Sequence, residues 1–184
     1  MEGKMKSDEV EIKVAESEEE IHAALRLRYE VFIEEIGFKS PAEFSKPEEK
    51  NGRDHSATHI IAVQNGEVVA TLRLIKVDAQ TAFQGAFNLP FEFDFSKALE
   101  ISRLAVKKNK RGRRDLFPKI VKFAHYYARE RGYDFLCGVM RKGLMDFFNR
   151  KKWEFRFQSA PFSCQKYPTV AFILPILESN LQKF

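Results

Sequence analysis

The segment that decides the fold reads ALEISRLAV over residues 98–106 and KKNKRGRR over residues 107–114. The first part is an apolar run typical of a strand, and the second holds six Lys or Arg in eight residues. Residues 115–131 then follow a helical pattern that ends at Gly132, and residues 133–139 form another apolar run. A strand, a basic loop, a helix and a strand in this order predict two parallel strands joined by a right-handed crossover.

The flanking regions extend this pattern on both sides. A helix is predicted from Ser17, whose hydroxyl forms a capping box with Glu20, to about Ile36. Asn65-Gly66 joins two β-branched runs and is a strong hairpin signal. The predicted strands lie near residues 11–15, 59–63, 67–77, 98–106, 133–139, 153–158 and 169–175, and the helices near 17–36, 115–131 and 143–150. This order predicts an α+β fold, a three-layer α/β/α domain with a mixed sheet.

Composition is that of an ordinary globular protein, with 184 residues, 44% hydrophobic and 31% charged. No Gly/Ser-rich or Pro-rich linker divides the chain, so we expect one domain over residues 1–184, with a disordered start at residues 1–8. Residues 39–57 are polar and predict a long loop, which is usually functional or mobile. The start of the chain lacks the apolar core of a secretion signal, and Cys137 and Cys164 cannot form a disulfide framework. These features predict a cytoplasmic protein.

The chain carries a net charge of +5 and contains 18 Phe residues. The positive charge favours an acidic partner, such as a phosphate group, a nucleic acid, an anionic membrane or an acidic protein. No recognition-helix pattern and no alternation of aromatic and basic residues supports nucleic acid binding, so we expect none. The Phe-rich stretch at residues 83–95 predicts either an apolar ligand cavity or ordinary core packing.

Four charged residues interrupt apolar elements. Arg28 lies on the apolar face of the first helix, and Arg73 lies in a strand with two apolar faces. Glu100 and Arg103 interrupt the strand quoted above. Burying an unpaired charge is costly, so one interpretation is a structural ion pair of Glu100 with Arg28 or Arg73. Three Arg and one Glu exceed the needs of one pair, which favours a functional cleft, and a β-bulge near Ser102 would bring Glu100 and Arg103 to one side.

The basic run lies between a strand and a helix N-terminus, where backbone amides and the helix dipole attract anions. A phosphate group or an acidic protein helix would suit it, and the structural alternative is a solvated charged loop. His55 and His59 lie at a loop-to-strand junction without other clustered ligands, so no metal site is expected. The chain has no Walker loop, no G-x-G-x-x-G motif and no G-x-S-x-G motif.

The strings that contain these charges resemble a known family. RYEVF over residues 28–32, Arg73 and EISRLAV over residues 100–106 occur in the order found in acyl-homoserine-lactone synthases and in the related N-acyl amino acid synthases. FFNRKKWEF over residues 147–155 is similar to the segment after the fifth strand of GNAT N-acyltransferases. The resemblance covers most of the chain. It implies the GNAT fold, an α+β three-layer α/β/α architecture with a mixed, largely antiparallel central sheet.

The resemblance also implies roles for individual residues. The catalytic positions are Glu100, Ser102 and Arg103. The substrate-binding positions are Arg28, Phe32, Phe38, Asp54 and Arg73. The acyl-donor-binding positions are Leu104, Val106, Lys108, Lys110, Arg111, Gly112, Arg113 and Arg114. Glu100 would accept the proton of an attacking amine, directly or through water, and backbone N–H groups of the strand would stabilise the oxyanion. One of the three arginines would bind the acceptor's carboxylate or support the loop.

Three positions depart from the family pattern. Phe38 stands where the family has a tryptophan, and Asn51 stands where it has the first loop aspartate. Those positions serve the S-adenosylmethionine-using synthases, so the resemblance predicts no homoserine lactone product. Ordinary acetyltransferases read R/Q-x-x-G-x-G/A in the pyrophosphate loop, whereas residues 109–114 keep one Gly and place Arg114 at a small-residue position. This favours a basic dock for acyl carrier protein over a cradle for coenzyme A.

We therefore expect an N-acyltransferase that moves a fatty acyl group from acyl carrier protein or coenzyme A to the amine of an amino acid. The thioester is a co-substrate, and no permanently bound cofactor is expected. The alternatives are an acyl-homoserine-lactone synthase, a short-chain acetyl-CoA-dependent acetyltransferase and a non-catalytic module that binds acyl groups or acyl carrier protein. A lipid product leaves peripheral membrane contact open, and the Phe-rich stretch would then supply the acyl cavity.

Overall fold

A computed structural model of the chain describes residues 9–77, 89–113, 115–164 and 167–182. The helices are α1 (Glu18–Tyr29), α2 (Leu116–Glu130), α3 (Lys142–Arg150) and α4 (Glu178–Leu181). The strands are β1 (Glu11–Val14), β2 (Thr58–Gln64), β3 (Glu67–Lys76), β4 (Ala98–Val106), β5 (Phe135–Arg141), β6 (Phe157–Gln158), β7 (Phe162–Cys164) and β8 (Tyr167–Pro175). They form one sheet in the order β1-β2-β3-β4-β5-β8-β6, with β7 paired to β8. The disorder expected at residues 1–8 concerns a segment outside the described residues.

The sheet is mixed. β4 and β5 run parallel, with Ala98 opposite Phe135 and Glu100 opposite Cys137. Antiparallel pairs are β1–β2, β5–β8, β6–β8 and β7–β8. The parallel pair predicted on either side of α2 and the mixed α+β fold are therefore confirmed. The tight turn between β2 and β3 is also as predicted, because Asn65 (φ +53°) and Gly66 (φ +79°) both adopt the left-handed backbone that such hairpins need.

The chain divides into two compact units. The first unit comprises Met1–Arg73 and Arg103–Phe123, and the second comprises Leu74–Ser102 and Ala124–Phe184. β3, β4 and α2 each contribute residues to both units.

The first unit is organised around α1. Ser17 caps this helix by accepting a hydrogen bond from the Glu20 amide at 3.2 Å, as the capping pattern predicted. The apolar face of α1 buries Ala24 and Leu25, which are 0% and 1% exposed. Such a face stabilises a helix through tertiary packing more than intrinsic propensity does.

The helix changes pitch after Tyr29, where the prediction had a continuous α-helix. Glu30–Glu35 form a π-helix, and Gly37 follows with φ +68°. The wider turn buries Val31 and Ile33. π-helical segments are frequent at functional sites, and this one contains Phe32.

The second unit has its own apolar core. Ala98, Cys137, Ala171 and Ile173 are buried together, and Phe93 and Phe95 pack against them. Cys137 is therefore a buried core thiol. In the described part of the Phe-rich stretch the rings contribute core packing, whereas Phe83 and Phe87 lie outside the described residues.

The end of the chain differs from the prediction. The strand expected at 153–158 is reduced to β6, because a turn at Lys152 (φ +55°) places Trp153 in the core. β7 was not predicted, since three residues are too few to show a strand period.

Candidate active site

A buried network of ion pairs lies in the first unit around Arg28, which is 0% exposed. Its Nε donates to Glu49 Oε2 at 2.7 Å, its Nη1 donates to Asp54 Oδ1 at 2.7 Å, and its Nη2 donates to both carboxylates. Both acids come from the long polar loop before β2. Because two carboxylates occupy the guanidinium, Arg28 anchors this loop to α1.

Asp54 links Arg28 to β3. Its Oδ1 accepts a hydrogen bond from Arg73 Nη1 at 3.0 Å, and its Oδ2 accepts one from the backbone N–H of Asn51 at 2.7 Å. Burial raises the pKa of this carboxyl, but the hydrogen bonds and charge of Arg28, the Asn51 amide and the charge of Arg73 outweigh it and lower the pKa to about 2. Asp54 is therefore ionised at neutral pH.

Glu49 is a member of the network that the sequence reasoning missed. It is 4% exposed, and its backbone N–H donates to Leu25 O at 3.1 Å. Its neighbour Glu48 instead contacts His22 at 2.9 Å, and no pattern in the sequence distinguishes the two acids. Glu49 therefore supplies the second carboxylate of the network, beside that of Asp54.

Arg103 joins the network from the end of β4. Its Nε donates to Glu49 Oε1 at 3.1 Å and Oε2 at 3.2 Å. Its guanidinium carbon lies 5.9 Å from the ring centroid of Phe32 and 5.3 Å from that of Phe38. The side chain is 23% exposed, whereas that of Arg73 is 3% exposed. Arg103 is therefore the arginine of the network that reaches solvent, held on one edge by a carboxylate and beside two rings.

His59, which the sequence analysis considered only as a metal ligand, lies beside Asp54. It is 3% exposed, and its Nε2 lies 3.8 Å from Asp54 Oδ1. Burial, followed by the charge of Arg28, lowers the pKa of this imidazole. His59 is therefore neutral at physiological pH. The polar loop and the apolar strand around it offered no signal beyond the histidine itself.

The irregularity expected near Ser102 is present in the backbone of β4. Arg103 has φ +54°, and the ladder with β5 ends at Glu100 opposite Cys137. A non-glycine residue in the left-handed region is uncommon and costs about 1–3 kcal/mol, and such strain clusters at functional sites. Glu100 is 1% exposed, and Ser102 is partly buried.

The basic loop is more neutralised than its sequence suggested. Lys107 forms an ion pair with Glu67. Arg111 contacts Glu35 at 2.8 Å, and its Nε donates to Val106 O at 3.0 Å. The charges of Lys107 and Arg111 are therefore paired with acids of the first unit.

Lys108 and Lys110 differ from their neighbours. They begin and end a short 3₁₀ turn. Among the described residues neither has an acidic partner. Leu104 and Val106 are partly buried on β4, and Gly112 is exposed. Arg114 lies outside the described residues.

The N-terminus of α2 already has an anion beside it. Asp115 contacts Arg113 at 3.1 Å and Lys119 at 3.0 Å. Hydrogen bonds from Arg113 and then Lys119 lower the pKa of this carboxyl. Pro118 lacks an N–H group in the first turn of the helix. The amides of Lys110 and Arg113 donate within the loop itself.

The sequence profile of the family described as N-acyl amino acid synthase FeeM matches residues 23–174. The chain belongs to this family. It is an N-acyltransferase.

Solved structures show the same fold. The acyl-homoserine-lactone synthase LasI is 14% identical with a TM-score of 0.81, and the match covers 96% of this chain and 95% of LasI. FeeM, an N-acyl amino acid synthase from uncultured soil microbes, is 16% identical with a TM-score of 0.60, and the match covers 92% of each chain. An N-acetyltransferase-like protein from Lactobacillus plantarum is 19% identical with a TM-score of 0.65, over 91% of this chain and 99% of the other. The predicted GNAT-like fold is confirmed.

No functionally curated protein sequence matches the chain. In the described part of the chain, no helix is both long enough and apolar enough to span a bilayer.

Proposed function

We propose that this N-acyltransferase transfers a fatty acyl group from acyl carrier protein to the amine of an amino acid, whose carboxylate binds Arg103. The observation that carries the proposal is the state of Arg103. Its Nε is bound to Glu49, while its two terminal nitrogens have no hydrogen-bond partner among the described residues and its side chain is partly exposed. A guanidinium presented in this way binds a carboxylate with two parallel hydrogen bonds.

Burial supports the same assignment. Arg28 and Arg73 are 0% and 3% exposed, and both bind Asp54. The side chain of Arg103 is 23% exposed. Of these three arginines, Arg103 is therefore the one that the carboxylate of an acceptor amino acid can reach.

The reaction needs one proton acceptor and no redox partner. The neutral amine attacks the thioester carbonyl carbon, a C–N bond forms, and the C–S bond breaks. One amine proton passes to a base, which then gives it to the thiolate sulfur, so that the leaving group departs as a thiol. We assign the base to Glu100, a buried carboxylate three residues from Arg103 on the same strand. The backbone N–H groups of β4 beside the irregular Arg103 are our candidates for stabilising the oxyanion.

Acyl carrier protein is favoured as the donor over coenzyme A. A pyrophosphate binds to backbone N–H groups at a helix N-terminus. At α2, however, Asp115 places a negative charge there, and Pro118 has no N–H group to donate. Lys108 is exposed and Lys110 is partly buried, and neither has an acidic partner in the part of the chain that the structure describes. Dispersed surface charge of this kind steers an acidic protein.

The test is a product analysis with purified protein. Palmitoyl groups are offered on acyl carrier protein and on coenzyme A, each with a mixture of the twenty amino acids, and mass spectrometry follows the products. We expect N-acyl amino acid, formed faster from the carrier protein. Product from coenzyme A alone would contradict the donor assignment, and no product with any amino acid would contradict the acceptor class.

A parallel reaction contains S-adenosylmethionine as the acceptor. The departure at Phe38 predicts no homoserine lactone, and detection of lactone would contradict that prediction.

A further inference from the structure

We propose that Gly138 of β5 is a positioning residue for acyl transfer, because its missing side chain lets β4 leave the sheet plane between Glu100 and Arg103. This inference rests on the proposed function for the roles of those two residues. It concerns a glycine to which neither the sequence pattern nor the family resemblance gave a role.

The first observation is a close approach of two backbones. A Cβ on Gly138 would lie 2.6 Å from Ile101 O, a distance that real Cβ atoms essentially never show. In a strand the Cβ points out of the sheet, whereas the carbonyls of a ladder lie near its plane. An oxygen 2.6 Å from the Cβ position therefore means that the Ile101 carbonyl approaches this face of β5 more closely than any side chain at position 138 would allow. The ladder ends one residue earlier, at Glu100 and Cys137.

The second observation comes from β8 on the other side of β5. Phe172 is the register partner of Gly138, and two of its ring atoms lie 3.6 Å from the same Cβ position. A methyl group would have to fit between this ring and the Ile101 carbonyl. Since the closer atom belongs to the backbone, no change of rotamer relieves the contact, and the strand itself must move.

The third observation is an irregular backbone conformation further along β4. Arg103, two residues after Ile101, has φ +54°. An out-of-plane step in a strand ends at a residue with unusual dihedral angles, as in a β-bulge. The irregular segment is therefore Ile101–Arg103, directly after Glu100. A methyl group at position 138 would push the Ile101 carbonyl away from β5 and so displace Glu100 and Arg103, which lie on either side of it in β4.

The experiment compares Gly138→Ala with Gly143→Ala. Gly143 lies in the first turn of α3, and a Cβ there would meet nothing within 4 Å. For folded G138A we expect kcat to fall by about tenfold or more, because small displacements of reacting groups are costly, while KM for the carrier thioester changes less than about twofold. G143A should match the wild type in both constants. Amide exchange at residues 101–103 should change in G138A alone.

A double-mutant comparison separates positioning from loss of stability. If Gly138 acts by placing Glu100, then G138A in the Glu100→Gln background should lower kcat much less than it does in the wild type. If G138A alone does not fold, the decrease in kcat caused by G138A, with and without Glu100→Gln, is measured in a Phe172→Leu background, where β5 has room to shift away from Ile101.

Product from the wild type together with an undiminished kcat in G138A would overturn this inference. A wild type without product would overturn the proposed function, and unchanged amide exchange in G138A would then overturn this inference separately.

Discussion

At the scale of single residues, Arg103 differs from the other arginines of its network in having one edge bound and one edge open. Arg103→Lys keeps the charge but loses the planar pair of donors. We expect KM for the amino acid acceptor to rise about tenfold, since one bidentate contact becomes a single one, while KM for the acyl donor stays the same. Steady-state kinetics with varied acceptor measures this.

Arg26→Lys is the matched control, because Arg26 is an exposed arginine of α1 whose side chain is 54% accessible. It should leave both constants unchanged. An unaltered acceptor KM in Arg103→Lys would remove Arg103 from the acceptor site.

Glu100 is the residue to which we assign the proton transfer. Glu100→Gln preserves shape but cannot accept a proton, so kcat should fall by about 10²-fold or more with the fold intact. The circular dichroism spectrum should be that of the wild type. Glu92→Gln, at an exposed position of the same unit, should have no effect on kcat. A folded Glu100→Gln protein with full activity would show that another group, or water, takes the proton.

The residues of the site were predictable to different degrees. Arg28, Arg73 and Arg103 were detectable because a charge among apolar neighbours breaks a period that the rest of the element obeys. Glu49 was not detectable, because an acid in a polar loop breaks no pattern. The burial of Glu49 follows from the position of Arg28, which is a property of the folded chain and not of the loop's own sequence.

At the scale of elements, the basic loop after β4 is the segment that we expect to bind the acyl carrier protein. Lys108→Glu with Lys110→Glu reverses two lysines that pair with no acid within residues 9–77, 89–113, 115–164 and 167–182, and it leaves the Arg111–Glu35 pair intact. We expect KM for the carrier thioester to rise about tenfold at low salt and the effect to shrink as ionic strength increases, with kcat little changed.

The matched control reverses the exposed Lys76 and Lys97, which changes the net charge equally. If both double variants raise KM by the same factor, then overall charge and not the loop attracts the donor. If neither raises it, the loop is only a solvated charged segment.

Elements with a strong local signal were predicted closely. β4 has the bounds that its apolar run indicated, and the β2–β3 turn is where Asn65-Gly66 placed it. The π-helix after α1 was missed, because its sequence has the same apolar spacing as an ordinary helix and its pitch depends on packing. β7 was missed because its pairing with β8 provides the stabilisation that its three residues lack alone.

At the scale of the whole molecule, the buried network ties folding stability to pH in two steps. Burial lowers the pKa of His59, so its imidazole binds a proton more readily in the unfolded chain than in the folded protein. Stability is therefore fully present above the ordinary pKa of 6.5 and decreases as the pH falls below it. The pKa of Asp54 falls from 3.8 to about 2 on folding, so its contribution is present above 3.8 and is lost as the pH falls towards 2. The loss of the Asp54 contribution lowers the free energy of unfolding by about 2 kcal/mol.

Urea unfolding at a series of pH values should thus show the free energy of unfolding falling below about pH 6.5 and again below about pH 4, because protons bind the unfolded chain first in both ranges. His59→Gln should abolish the part of the first decrease that this imidazole causes, since the variant has no group to protonate there. His55→Gln, at an exposed position one short turn away, should retain it. The contrary outcome is that the free energy of unfolding changes with pH equally in His59→Gln and His55→Gln. The imidazole of His59 would then be protonated as readily in the folded protein as in the unfolded chain, because Asp54, 3.8 Å away, offsets the cost of its burial.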